Sequence, residues 1–355
     1  MIDSVLACFG LNKEAAKYKQ FGSGLINNTW KVRHVEDDYI LQKINTDVFS
    51  NPRDISDNIM MIKQYLDKTA PGYLFIGPII ANNGDSVCET TDGVYRLFPY
   101  VPNSKTIDEV EHAEQAYQAA KQFGRFSKLL NDFNPLKLKI SIKDFHNLPF
   151  RITQYQQALE AVDNDRKVRA RWAIEQVNRH MNIAVDFNEI IQQKKLNLRV
   201  IHHDTKINNV LLDINSGKGI CVIDLDTVMP GYFISDVGDM MRTYLSPTNE
   251  EDTNTNNIII RPEVFAAIYK GYMEEMDGVL AESEKELFIY SGKFMLFMQA
   301  LRFLTDFLNG DVYYRVTGPN HNLQRAMNQI TLLNQYIDNE GVFDNIAHNW
   351  QFQNS

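Results

Sequence analysis

Along the first hundred residues the apolar positions come in short runs broken by Gly, Asn and Asp, the texture of strands joined by tight turns. The runs predict strands over residues 29–35, 39–44 and 94–100. Between the second and third, Asn51 as N-cap, Pro52 in the first turn, and Ile55, Ile59, Ile62 and Leu66 at helical spacing predict one helix laid across a small sheet. Beyond 99–104 the texture changes to a 3.6-residue period, first in Ala113, Ala116, Tyr117, Ala120 and Phe123. Helical patterns return at 262–273, 284–308 and 323–337. One stretch interrupts them: over 198–226, two β-rich pieces (198–201 and 220–224) flank polar loops. The pattern therefore predicts an α+β chain of two lobes, a small mixed one over 1–101 and a larger, mainly helical one over 102–355. Polar loops set between strands are where a site is expected.

Composition narrows the classes. With 355 residues, 44% hydrophobic and 23% charged, the chain has ample core and is not disordered. Its 45 acidic against 36 basic residues leave a net charge of −9, without the basic field that binding a phosphate backbone requires, so nucleic acid is not an expected partner. Cys8, Cys88 and Cys221 give neither an even disulfide set nor metal-ligand spacing, and the first residues lack a basic segment ahead of an apolar run. The most apolar stretch, 294–304, is interrupted by Gln299 and Arg302 well short of a bilayer span. A cytoplasmic protein with no membrane partner is expected. The run 249–257, rich in Asn, Glu and Asp, reads as a mobile surface loop.

The chemistry concentrates in 200–209, where His202, Asp204 and Asn209 form the pattern HxDxxxxN after a strand. About twenty residues on, an apolar strand ends in Asp224-Leu225-Asp226. Phosphoryl transfer needs an aspartate to orient the acceptor hydroxyl, an amide oxygen on Mg²⁺, and a second carboxylate carrying that metal to the phosphates. Asp204, Asn209 and Asp224 supply those types, and Lys206 could set its ammonium against the γ-phosphate. Neighbouring histidines on a strand face opposite ways, so His202 and His203 do not suggest a shared zinc; His202 reads as a brace for the loop. Near the N-terminus, Gly22-Ser23-Gly24 would let backbone N–H groups approach phosphate oxygens. It lacks the GK[ST] ending of a Walker loop and the third glycine of a dinucleotide fingerprint.

The order of these parts resembles the aminoglycoside phosphotransferase and choline kinase family, relatives of the protein kinases, over nearly the whole chain. The runs 203–211, 222–231 and 301–314 are similar to the branch of that family that phosphorylates N-acetylhexosamines. The resemblance implies a protein-kinase-like bilobal fold and ATP- and Mg²⁺-dependent phosphorylation of the anomeric hydroxyl of N-acetylglucosamine or N-acetylgalactosamine. It implies Asp204 as catalytic base, Asn209 and Asp224 as magnesium ligands, and the hinge backbone from Phe98 to Tyr100 as the adenine contact. Asp226 and Arg302 are the expected partners of the sugar hydroxyls. Asp236, Asp239 and Arg242 fit a role in holding the catalytic loop, and Tyr313-Tyr314 suit either a sugar face or the core. In one respect the chain departs from the family: on the strand 39–44 the position of the phosphate-binding lysine falls on Gln42, with Lys43 its neighbour on the opposite face. Either a bulge admits Lys43, or the phosphate contact falls elsewhere. Other acceptors (choline, homoserine, an aminoglycoside) and a nucleotide-binding module without catalysis are the competing readings.

Overall fold

A computed structural model describes residues 2–22 and 27–354. In chain order the strands are β1 (Ala16–Gln20), β2 (Asn28–His34), β3 (Asp37–Lys43), β4 (Cys88–Thr90), β5 (Gly93–Pro99), β6 (Ser104–Lys105), β7 (Arg199–Ile201), β8 (Val210–Asp213), β9 (Gly219–Val222) and β10 (Met229–Gly231). The helices are α1 (Ile2–Cys8), α2 (Pro52–Thr69), α3 (Ala113–Leu129), α4 (Leu148–Ala161), α5 (Asn164–Arg169), α6 (Arg171–Arg179), α7 (Asn182–Gln192), α8 (Phe233–Tyr244), α9 (Pro262–Met276), α10 (Glu282–Lys285), α11 (Phe288–Leu308), α12 (His321–Asp338) and α13 (Glu340–Asn354).

The first five strands form one antiparallel sheet in the order β1-β2-β3-β5-β4. β2 stops at His34, one residue earlier than its apolar pattern suggests, because Val35 turns left-handed at φ 55° and swings the chain back into β3. Helix α1, which the pattern did not announce, covers this sheet: Val5 and Leu6 are fully buried with Val32, Leu41, Tyr95 and Leu97. The helix foreseen after Asn51 forms as α2, but its stripe of Ile55, Ile59, Ile62 and Leu66 joins the core of the helical lobe instead of lying across the sheet. The element beside the sheet is thus anchored to the other half of the molecule.

In the helical lobe α3 packs on α9, while α11 runs through the middle against α4, α8 and α12. That position explains why 294–304 is apolar on nearly every side: a helix surrounded by protein has no solvated face to keep polar. Gly238 lets α8 approach α11, since a Cβ there would sit 2.2 Å from the Ser291 carbonyl oxygen. The predicted helix 284–308 breaks at 286–287 into α10 and α11. Among the described residues no helix is long and apolar enough to cross a membrane. Two small sheets, β7–β10 and β6–β8–β9, carry the polar loops between the lobes.

Candidate active site

The segment that follows β7 is held by α8. The Asp236 carboxylate accepts the N–H groups of His202 (3.0 Å) and His203 (2.7 Å), and the Thr205 N–H donates to Asp239 at 2.8 Å. Thr205 Oγ1 donates to the Asp236 carbonyl at 2.7 Å, and the Tyr244 hydroxyl donates to the Thr205 carbonyl at 2.5 Å. Asp239 in turn receives Arg242 at 2.9 Å. Four backbone groups of a buried loop are so satisfied without a helix or ladder, as burial of polar backbone demands. Asp236, Asp239 and Arg242 therefore act on the loop, as their placement in the sequence suggests.

The two histidines point apart. His202 is fully buried against Phe123 and Phe126; its Nε2–H donates to the Ile223 carbonyl at 3.0 Å, and its Nδ1 accepts the Asp204 N–H at 3.4 Å. One ring thereby ties the loop to the residue preceding Asp224. His203 packs on His146 from the other side, and its Nδ1–H donates to the Ile201 and Thr227 carbonyls. Burial pushes its pKa down from 6.5 to about 4. Below pH 6.5 the unfolded chain takes up a proton there that the folded chain refuses until about pH 4, so this contribution to stability is complete above pH 6.5 and is lost as the pH falls. The difference in unfolding free energy between wild type and His203→Asn is expected to shrink by roughly 3 kcal/mol between pH 7 and pH 4, measured by urea denaturation.

Asp204 stands at the tip of this loop. The Asn209 Nδ2 donates to both its carbonyl (2.9 Å) and its carboxylate (3.1 Å), and the Lys206 ammonium lies 3.7 Å from the other carboxylate oxygen. Burial works to raise the Asp204 pKa, but Lys206, His202 and Arg242 outweigh it and hold the carboxyl below its usual range. Both of these bonds use the Asn209 amide nitrogen, and its amide oxygen has no protein partner among the described residues. Asp224, two residues past the end of β9, takes a left-handed conformation, φ 56° and ψ 62°, which turns the chain out of strand alternation and sets the carboxylate on the cleft. The protein crowding around it, with the charges of Asp226 and Asp204, pushes its pKa up to about 7. Among the described residues no group of three or more His, Cys, Asp or Glu is placed to hold a metal. Asn209 and Asp224 nonetheless suit Mg²⁺, which binds through one or two carboxylates and fills its remaining positions with phosphate oxygens and water.

Asn209 and Asp224 both line a cleft of about 260 Å³ between the lobes, whose far wall includes Gly22, Phe98 and Tyr100. Gly22 is left-handed at φ 82°, a conformation that suits glycine. Ser23 and Gly24 lie outside the described residues. At the hinge the Tyr100 N–H donates to the Asp38 carbonyl at 3.0 Å and Pro99 has none, so what Phe98 and Tyr100 offer a base is ring surface rather than these amides.

β3 keeps unbroken register with β2 and β5, so no bulge brings Lys43 into the cleft. Lys43 pairs with Asp92 at 3.0 Å on the outer face, and Gln42 lines the cleft. Asp226, expected against the acceptor, instead points into the interface between the lobes. One of its oxygens meets the Arg96 guanidinium at 2.5 Å and the other accepts the Asn27 Nδ2 at 2.8 Å. Strand ends signal that a carboxylate is near a site; which neighbour it meets is a tertiary matter.

Arg302 lies on α11, near Phe145, whose ring packs against His203. Its guanidinium sits over the rings of Phe145 (5.2 Å) and Tyr314 (5.5 Å) and donates to Gln299 at 3.1 Å. Among the described residues it pairs with no carboxylate. The loop carrying Tyr313 and Tyr314 is held by Asp306, which accepts the N–H groups of Val312, Tyr313 and Tyr314. Tyr314 belongs with Arg302, and Tyr313 is 62% exposed. The run 249–257 is not a free loop: Glu250 pairs with Arg242, Glu251 with His321 and Arg325, and the carbonyls of Asn249 and Asp252 accept from Asn328. Sequence reading missed Arg96, Asn27, Phe145 and Glu250 as parts of the site. None of the four carried a sequence signal for its role; Arg96 comes to stand opposite Gln42 only through the register of β3 and β5.

Comparison with known proteins bears on this geometry. Residues 17–262 match the model of a phosphotransferase enzyme family, APH. Among solved structures the chain is similar to a microcompartment-associated aminopropanol kinase (14% identity, TM-score 0.65, covering 96% of this chain and 98% of that one). It is also similar to an aminoglycoside phosphotransferase from Alicyclobacillus acidocaldarius (12%, 0.63, 98% and 96%) and to a spectinomycin phosphotransferase solved with ADP and spectinomycin (13%, 0.60, 96% and 97%). With two-thirds of the chain under the family model and this protein-kinase-like arrangement of small sheet, cleft and helical lobe, the chain belongs to the APH phosphotransferase enzyme family.

Proposed function

We propose that the chain transfers the γ-phosphoryl group of ATP to the anomeric C1 hydroxyl of an N-acetylhexosamine. The observation that carries the choice of acceptor is Arg302. An acceptor pocket for an ammonium compound should present carboxylates or an aromatic cage. Here the aromatic rings of Phe145 and Tyr314 are already covered by a cation with no carboxylate partner among the described residues. Arg151 lies close by, its pKa pushed down to about 10 by burial and by the Arg302 charge. Two arginines so placed repel choline, ethanolamine or an aminoglycoside and donate to neutral hydroxyl and amide oxygens, as a sugar carrying an acetamido group provides.

In this reading Asp204 accepts the hydrogen bond of the C1 hydroxyl and orients its oxygen toward the γ-phosphorus. Because Lys206 and its neighbours keep Asp204 acidic, it takes the proton only as the new bond forms, which suits a loose transition state. Lys206 faces the charge that builds on the equatorial oxygens. Asn209 and Asp224 would hold Mg²⁺, which supplies neutralisation of the phosphate chain. Gly22, with Ser23 and Gly24, would cover the phosphates, and the rings of Phe98 and Tyr100 would line the wall beside the adenine.

The test is a panel of acceptors assayed by ADP release: N-acetylglucosamine, N-acetylgalactosamine, choline, homoserine and an aminoglycoside. The proposal expects turnover with the two sugars alone, the product retaining no free reducing end; turnover with an amine instead overturns it. Arg302→Met is expected to raise the KM for the sugar about 10- to 100-fold with the KM for ATP unchanged, as loss of charge-assisted hydrogen bonds to one substrate should.

A further inference from the structure

We propose that Arg96 binds the phosphate chain of the nucleotide, supplying from β5 the buried cation that kinase-like folds draw from a lysine on β3. The inference rests on the phosphotransfer reading above and concerns which group of the small lobe meets the α- and β-phosphates. β3 has none to offer, since its cleft-facing residue is the uncharged Gln42 and Lys43 is turned to Asp92 on the opposite face.

Directly across the ladder from Gln42 stands Arg96, on the same face of the sheet and lining the same cleft as Asp224. Its side chain is 1% exposed. Nε and one terminal nitrogen donate to the Gln42 Oε1 at 3.1 and 2.9 Å, and the other terminal nitrogen meets Asp226 at 2.5 Å. A guanidinium carries five N–H donors. Two are so engaged; the nitrogen facing Asp226 is an ion-pair contact without a hydrogen bond, so the remaining three, on the terminal nitrogens, have no hydrogen-bond partner among the described residues. Buried donors of a cation demand an acceptor, and the open side here is the nucleotide cleft.

The pairing also explains the departure at position 42. Cross-strand neighbours bring their Cβ atoms to roughly 5 Å, so a lysine opposite Arg96 would set two like charges together. Glutamine instead accepts from the guanidinium and fixes its plane. Arg96 is thus a phosphate-binding residue, while Gln42 and Asp226 are positioning residues that aim it. A strut between the lobes is the competing role, and it makes no distinction between a nucleoside and its phosphates.

Calorimetric titration of the full chain with adenosine, AMP, ADP and ATP separates the two. Arg96→Met/Asp226→Asn removes both charges, so neither is left buried alone. It is expected to bind ADP and ATP about 10- to 100-fold more weakly, while adenosine binds as in wild type. Arg96→Lys, which keeps the charge and loses the fork, should show an intermediate loss confined to the phosphorylated ligands, and it carries the test if the double variant does not fold. Lys43→Met should match wild type for every ligand. Equal weakening of adenosine and ADP, or no weakening of either, overturns the assignment. Wild-type protein that binds ADP no better than adenosine overturns the phosphotransfer reading itself.

Discussion

Asp204→Asn is expected to lower kcat about 10³-fold while the affinity for ATP stays as in wild type. The substitution keeps the shape and the acceptor oxygen that Asn209 bonds, but removes the charge that Lys206 faces at 3.7 Å and with it the carboxylate proposed to take the acceptor's proton. Single-turnover measurement with saturating sugar separates this loss in chemistry from any change in binding. A variant retaining more than a tenth of wild-type turnover would mean that Asp204 is not the residue that orients the hydroxyl.

Asp236→Ala should damage the protein in a different way. It strips the acceptor from two buried N–H groups, those of His202 and His203, at a residue that is itself 1% exposed. Leaving both donors without a partner costs about 3–5 kcal/mol of folding stability. The consequence for activity follows from what the loop carries. Asp204 and Asn209 sit on the segment whose first turns Asp236 holds, so kcat falls even at temperatures where the variant is folded. Thermal unfolding followed by circular dichroism, with turnover measured well below the transition, distinguishes the two effects. Full activity in the folded variant would show that the α8 contacts with Thr205 from Asp239 and Tyr244 suffice to place the loop.

Both variants act on features of very different legibility. Asp204, Lys206 and Asn209 could be found from the chain alone because they lie within one tight loop, where five residues of spacing fix proximity: the Asn209 N–H closes on the Lys206 carbonyl at 3.0 Å and its side chain returns to Asp204. The sheet of the small lobe could be read the same way. Strand parity alone separates Gln42 from Lys43, since neighbouring side chains on a strand take opposite faces. Helix α11 announced itself through an apolar run too short for a membrane and too continuous for a surface helix.

Partners distant in sequence were beyond the reach of pattern. Glu250 sits in a run of Asn, Asp and Glu that composition assigns to a solvated loop, yet the run is tied to α12 through Glu251, Asn249 and Asp252 and meets α8 where Glu250 pairs with Arg242. Helix α2 has the stripe expected of it, but periodicity says only that a face is buried, not against which lobe. Asp226 is the sharpest instance. Its place two residues after Asp224 marks it as part of a site, and a sugar was the natural partner to expect. The closing of the lobes sets it instead between Arg96 and Asn27, nearly two hundred residues of chain away from the latter. Local chemistry, spacing and parity are properties of neighbours along the chain, so the sequence by itself determined the closeness of Asp204, Lys206 and Asn209, the carboxylates after β9, and the uncharged position on the cleft face of β3. Which charges meet across the cleft depends on how two lobes pack, and only the tertiary structure decided that Asp226 belongs to Arg96, that Arg302 is left without a counter-charge among the described residues, and that a guanidinium from β5 stands beside Gln42 in the cleft.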